Sequence, residues 1–145
     1  LEQVPNLKYI HVMRHGLDMA YSSNQEQLLY WGEQLLGETD VEQTPASAFR
    51  YWCAAHRRII EIGKSMEGNF LLLNFDQFCD KPEQYLRRLV SFIHIDASNY
   101  EARDLIHSVS RPVSLGRHQS EDCSFVEEAD RELLVQLGFP DTGVK

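Results

Sequence analysis

The sequence predicts an α/β fold with a small parallel sheet and a predominantly helical remainder. Three observations carry this. Two short apolar runs, LKYIHVM (residues 7–13) and FLLLNF (residues 70–75), have the length and composition of strands. A long, mostly helix-periodic stretch lies between them, which is the connection that a parallel pair requires. Beyond the second run the apolar residues return to helical spacing. A crossover of this kind is expected to be right-handed.

In the first run Leu7, Tyr9, His11 and Met13 alternate with Lys8, Ile10 and Val12. Both sets are largely apolar, as in a strand covered on both faces. Gly16 marks a turn, and a helix is predicted from near Leu17. Asp18 falls in its first turn, where a carboxylate suits the positive end of the helix dipole. The SSNQEQ run (22–27) interrupts this helix before LLYWGEQLL. Thr44-Pro45 starts another, with proline at the first helical position. Along it Phe49, Trp52, Cys53, His56, Ile59 and Ile60 share one face to about Met66, and His56 reads as a packed core histidine. Gly68-Asn69 closes that helix ahead of the second strand.

Lys81-Pro82-Glu83 opens a further helix. Leu86, Leu89, Val90 and Ile93 form its apolar stripe, and Arg87 and Arg88 its solvated side. Ser98-x-x-Glu101 and Ser124-x-x-Glu127 have the form of capping boxes. The second precedes Leu133, Leu134 and Leu137, a helix that Gly138 terminates. Between the two boxes, residues 108–123 (SVSRPVSLGRHQSEDC) show no periodicity. Loops this long in compact domains are usually functional or disordered. With no repeats and no linker, residues 1–145 read as one domain.

Composition narrows the function. The chain is 43% hydrophobic and 25% charged, ordinary for a soluble globular protein. With 14 basic and 22 acidic residues its formal charge is −8, which argues against nucleic-acid and anionic-membrane partners. No apolar run reaches the length of a membrane span. Cys53, Cys79 and Cys123 are widely spaced and read as free thiols in a reducing compartment, the cytoplasm. The six histidines lack ligand spacing, so no metal is expected. The chain begins Leu1-Glu2-Gln3 and enters a core-grade strand almost at once, as the C-terminal portion of a longer domain would. The outer edge of the 7–13 strand is then unfinished, and self-association through it is expected.

In open α/β sheets ligands sit beyond the carboxyl ends of the strands. Arg14 is delivered there directly after Met13, where a guanidinium grips a phosphate through paired hydrogen bonds. Ser22, in the second turn of the following helix, adds a hydroxyl. Asp18 would repel a phosphate and is expected to bind loop amides, holding the turn that aims Arg14. On spacing alone, a structural ion pair for Arg14 and a helix-surface hydroxyl for Ser22 are the better fit.

The segment RHGLDMAYS resembles the 3′-phosphate-binding segment of the sulfotransferases that use 3′-phosphoadenosine 5′-phosphosulfate (PAPS). Arg14 and Ser22 fall on its two phosphate ligands, and His15 stands where Asp or Asn is common. NFDQFCDKPEQYLRRLVSFIHI (74–95) is similar to the family's YEDLxxDPxxxLxxLxxFLGI segment. Pro82 matches, and Phe75 replaces a tyrosine that lies near the adenine. SRPVSLGRHQ resembles the family's C-terminal cofactor loop, of the RKGxxGxW or SxGRW type. Arg111 and Gly116 match the first form; Ser114, Gly116 and Arg117 match the second, with His118 in place of Trp.

The resemblance implies a partial three-layer α/β/α P-loop-type fold and the C-terminal part of a PAPS-dependent sulfotransferase. The cofactor would be held by Arg14, Ser22, Phe75, Arg111, Gly116 and Arg117, with no metal. The acceptor would be a small molecule or glycan offering a hydroxyl or amine. The family's PxRSGTT-type phosphosulfate loop does not occur in these residues, and the catalytic base, a His or Glu in the family, normally precedes the opening segment. The catalytic residues are therefore unknown, and the isolated chain is expected to be inactive. The competing expectation is a non-catalytic nucleotide-binding or interaction module that keeps part of this fold.

Overall fold

The computed structural model describes residue 4, residues 6–95 and residues 106–140. These contain a strand β1 (Tyr9–Met13), helices α1 (Gly16–Ala20), α2 (Glu26–Leu36) and α3 (Pro45–Lys64), and a strand β2 (Phe70–Asn74). Helices α4 (Phe75–Asp80) and α5 (Pro82–Ile93), a 3-10 turn η1 (Arg117–Ser120) and a helix α6 (Glu128–Gln136) follow. The predicted architecture is present: a predominantly helical α/β fold with a small parallel two-stranded sheet. The Ser98-x-x-Glu101 capping box lies outside the described residues. The chain groups into two compact units, one of residues up to Met13 with Gly63–Val113, the other of Arg14–Ile62 with the residues from Ser114 onward.

In the first unit β1 and β2 pair in parallel, from Tyr9 opposite Phe70 to Met13 opposite Asn74. The Tyr9 and Phe70 rings lie 5.8 Å apart across the pair. Leu71, Leu73 and Met13 are buried, as strand residues facing a core should be. Val12 is 53% exposed, so the expectation that both faces of the first strand are covered fails at that position. β2 ends one residue earlier than expected because Asn74 turns the chain. Its Oδ1 accepts the Gln77 amide at 3.0 Å, an N-cap bond that makes Phe75 the first residue of α4. α5 opens on Pro82 as predicted, and its stripe of Leu86, Leu89, Val90 and Ile93 is half-buried while Arg87 and Arg88 are exposed.

The core of the second unit is aromatic. Thr44 caps α3 by accepting the Ser47 amide at 3.1 Å, and Pro45 takes the first helical position. Phe49, Trp52, Cys53 and His56 are buried, one to two turns apart along α3. His56 is the packed histidine the sequence predicted, its ring stacked 4.0 Å from Trp52 and its Nδ1 2.7 Å from the Trp52 carbonyl. α6 brings Leu133, Leu134 and Leu137 into this core, and Arg57 of α3 donates to Asp130 of α6 at 2.6 Å. Gly138, at φ 81°, ends α6 as expected. The Phe139 amide reaches the Leu134 carbonyl and the Gly138 amide the Val135 carbonyl, the bonding pattern of a Schellman cap.

Two helix starts and ends differ from expectation. Ser124 is not the cap of α6, which begins at Glu128 with Glu127 in the cap position. The Ser124 amide is already taken by the Asp122 side chain at 2.9 Å, and the chain turns once more, from Cys123 to Val126, before helix begins. α1 stops at Ala20, so Ser22 does not occupy a second helical turn. The side chain of Gln25 explains the stop: its Nε2 donates to the carbonyls of Met19, Ala20 and Ser22, satisfying groups that a continuing helix would have used.

Candidate functional site

The residues from Arg14 to Tyr21 and from Ser114 to Cys123 belong to the second unit and meet there. Arg14 leaves β1 just before a histidine that caps α1. The Nδ1 of His15 accepts the Leu17 amide at 3.2 Å, the task usually given to Ser, Thr, Asp or Asn. The five-residue helix that follows presents Leu17 and Ala20 to the core together with one charged side chain, Asp18, which is 2% exposed.

A buried carboxylate must be paired or hydrogen-bonded to stay ionised. Asp18 is both. Its Oδ2 accepts the Gly116 amide at 2.6 Å; its Oδ1 accepts the His118 amide at 3.1 Å and the His118 Nδ1–H at 2.5 Å. Burial alone would raise the Asp18 pKa. The hydrogen bonds from the His118 ring and from the two amides outweigh it and hold the carboxyl at about 2. Asp18 therefore binds loop amides, as expected, but they belong to a loop nearly a hundred residues away; His15 holds the local turn.

Gly116 meets the carboxylate at φ 81°, a conformation that a residue with a Cβ adopts only under strain. His118 is buried and stacks on His15, ring centroids 4.2 Å apart and planes 13° from parallel. Phe139 meets the other histidine edge-on at 4.9 Å. Burial, and then the charge of the neighbouring His118 ring, lower the His15 pKa to about 4. A neutral His15 is also what its cap bond needs, because only an unprotonated Nδ1 can accept the Leu17 amide.

Pinning this loop sets two cations beside α1. The Arg14 Nη2 donates to the Ser114 hydroxyl at 3.1 Å. The Arg117 Nη1 donates to the Tyr21 carbonyl at 3.0 Å, a positive charge at the helix's negative end, and its Nε reaches the Ser114 carbonyl at 3.3 Å. A guanidinium next to a hydroxyl is a donor pair of the kind that holds phosphate oxygens. The nearby carboxylate is spent on amides and an imidazole.

Among the residues singled out from sequence, Arg14, Gly116 and Arg117 are thus brought into one arrangement. Ser22 lies in the turn after α1, its hydroxyl accepting the Asn24 amide at 3.3 Å, and borders a hollow of about 340 Å³ with Met19, Tyr51, Trp52 and His56. Phe75 and Arg111 belong to the first unit. Phe75 packs 6.4 Å from Phe78, and Arg111 pairs with Asp80 at 2.9 Å. Sequence reasoning left out of the site the hydroxyl that Arg14 touches, Ser114, and the buried partner of Asp18, His118. No local pattern pointed to the latter, because its partner Asp18 lies 100 residues away in the chain.

Among the described residues no helix is long and apolar enough to cross a membrane, and no group of three or more His, Cys, Asp or Glu could hold a metal ion. Neither a curated protein nor a solved structure matches the chain significantly. The sequence profile described as the Sulfotransferase family matches residues 1–99, more than half of the chain and the part that carries Arg14, Asp18 and Ser22. The chain belongs to the sulfotransferase family.

Proposed function

We propose that this chain supplies the 3′-phosphate side of a PAPS site in a sulfotransferase that acts on a hydroxyl or amine acceptor. The observation that carries the reading is the Arg14–Ser114 contact, held by a loop that Asp18 clamps through two amides and one imidazole. Bound PAPS would supply the activated sulfuryl group. Arg14 and the Ser114 hydroxyl would take the 3′-phosphate, with Ser22 as a further hydroxyl. Arg117 braces the loop from the Tyr21 carbonyl. The residues fit an anion because two guanidinium groups stand at the site and its single buried carboxylate is taken up by two amides and an imidazole N–H. No metal is needed for that balance. Phe75 and Arg111 are proposed as adenine and cofactor contacts on family resemblance alone. The three free thiols, two of them buried, favour the cytoplasm.

The sequence carries no stretch of the PxRSGTT type, so the residues assigned here act on the 3′ side. Binding that is equal in the ground and transition states lowers the concentration needed without lowering the barrier. The chain by itself is accordingly a binder and not a catalyst. Phosphorus-31 NMR of 3′-phosphoadenosine 5′-phosphate tests this directly, because the two phosphates resonate separately. Titration with the chain is expected to move and broaden the 3′ resonance far more than the 5′ one. A larger effect at the 5′-phosphate would overturn the assignment.

A further inference from the structure

α2 and α3 meet along a seam that does not close. Trp31 and Leu35 of α2 face Tyr51, Ala55, Ile59 and Ile62 of α3 across a cleft of about 350 Å³. The α3 residues recur at helical spacing, one stripe of the helix. Ala55 sits in the middle of that stripe and is too small to fill the space between its larger neighbours. The apolar rim stays in water: Trp31 is 57% exposed and Ile62 40%. The volume falls within the range of small-molecule pockets, about 300–1,000 Å³, and such pockets combine apolar walls with a few polar groups.

Here the polar groups come from Gln34, Tyr51 and one cation, Arg58. The three arginines of α3 differ in their engagement. Arg50 pairs with Glu38 and Arg57 with Asp130, whereas Arg58 forms no ion pair among the described residues. It is also the one charged side chain lining the cleft. In a chain of net charge −8, an unpaired guanidinium at the edge of an apolar cleft is complementary to a negative group on an apolar body.

We propose that the α2–α3 cleft binds a small apolar anion, an aromatic or alkyl carboxylate or sulfonate, with its hydrocarbon part between Trp31 and Ala55 and its charge on Arg58. The site uses none of the residues assigned to the 3′-phosphate and stands without that assignment.

The sequence has two tryptophans, so a nitrogen-15-labelled full chain gives two indole N–H resonances, which Trp31→Phe assigns. Titration with naphthalene-1-carboxylate is expected to shift the Trp31 resonance to saturation and leave that of Trp52, which does not line this cleft, in place. The neutral naphthalene-1-carboxamide should bind roughly fivefold more weakly, the upper end for an exposed ion pair. Arg58→Gln should bring the carboxylate down to the affinity of the amide, and Ala55→Phe should abolish binding of both. If Ala55→Phe does not fold, the Arg58→Gln comparison decides alone. The proposal is overturned if the Trp31 shift does not saturate, as for a face that only a partner helix covers. Equal affinities for the two probes, or an Arg58→Gln variant that still prefers the anion, would overturn it as well.

Discussion

One oxygen of Asp18 accepts both the ring Nδ1–H and the main-chain N–H of His118, a hundred residues along the chain, and both residues are buried. Sequence-distant groups are thereby fixed at a single atom. Asp18→Asn removes the charge and one acceptor, and sets an NH₂ donor against donors already in place. Leaving such groups unsatisfied costs about 1–3 kcal/mol, more for charged ones. The variant is expected to lose roughly that much stability in urea denaturation, with its midpoint clearly lowered. An unchanged midpoint would mean that the loop is not held through this carboxylate.

His15 makes stability depend on pH. Its pKa is lowered from 6.5 to about 4 in the fold, so between those values the unfolded chain binds a proton that the folded one refuses. Stability is therefore full above about pH 6.5 and falls as the pH drops toward 4, by on the order of 3 kcal/mol from this group. Asp18 acts in a lower window. Its depressed pKa adds stability above about pH 4 that is lost as the pH falls toward 2. His15→Asn keeps a side-chain acceptor at the cap and has no proton to gain. It should flatten the pH 4–6.5 limb of the stability curve; a limb as steep as that of the parent chain would assign the effect elsewhere.

Gly16 lies where α1 approaches α3. A Cβ there would stand 2.7 Å from Trp52 Cε3 and 2.9 Å from Phe49 Cε2. Both rings are buried and stacked on each other, so neither can move aside cheaply. Gly16→Ala is expected to lower the melting temperature through overpacking worth about 1–3 kcal/mol. A melting temperature at or above that of the parent chain would show that the two helices have slack between them.

The sequence revealed what is periodic. The two strands, the Thr44-Pro45 and Lys81-Pro82 helix starts and the buried Phe49–His56 stripe each follow from residues close together in the chain. Two helix boundaries were misread where a side chain outside the periodic pattern intervened. Gln25 ends α1 early and leaves Ser22 in a turn; Asp122 occupies the amide of Ser124 and delays α6. The loop from Ser114 to His118 has no period to read, so its attachment to Asp18 is visible only when the fold brings the two together.

Arg14 and its loop are proposed to recognise a 3′-phosphate. The most direct measurement is the melting temperature of the chain with saturating 3′-phosphoadenosine 5′-phosphate and with AMP, for the parent and for Arg14→Ala. The two nucleotides differ only in the group assigned to Arg14. A charge-assisted contact of this kind contributes on the order of 1.5–3 kcal/mol, at least tenfold in affinity. A distinctly larger shift is expected with the 3′-phosphorylated nucleotide, and a difference that disappears in Arg14→Ala. Equal shifts from the two nucleotides in the parent chain, or a preference that survives in Arg14→Ala, would contradict it.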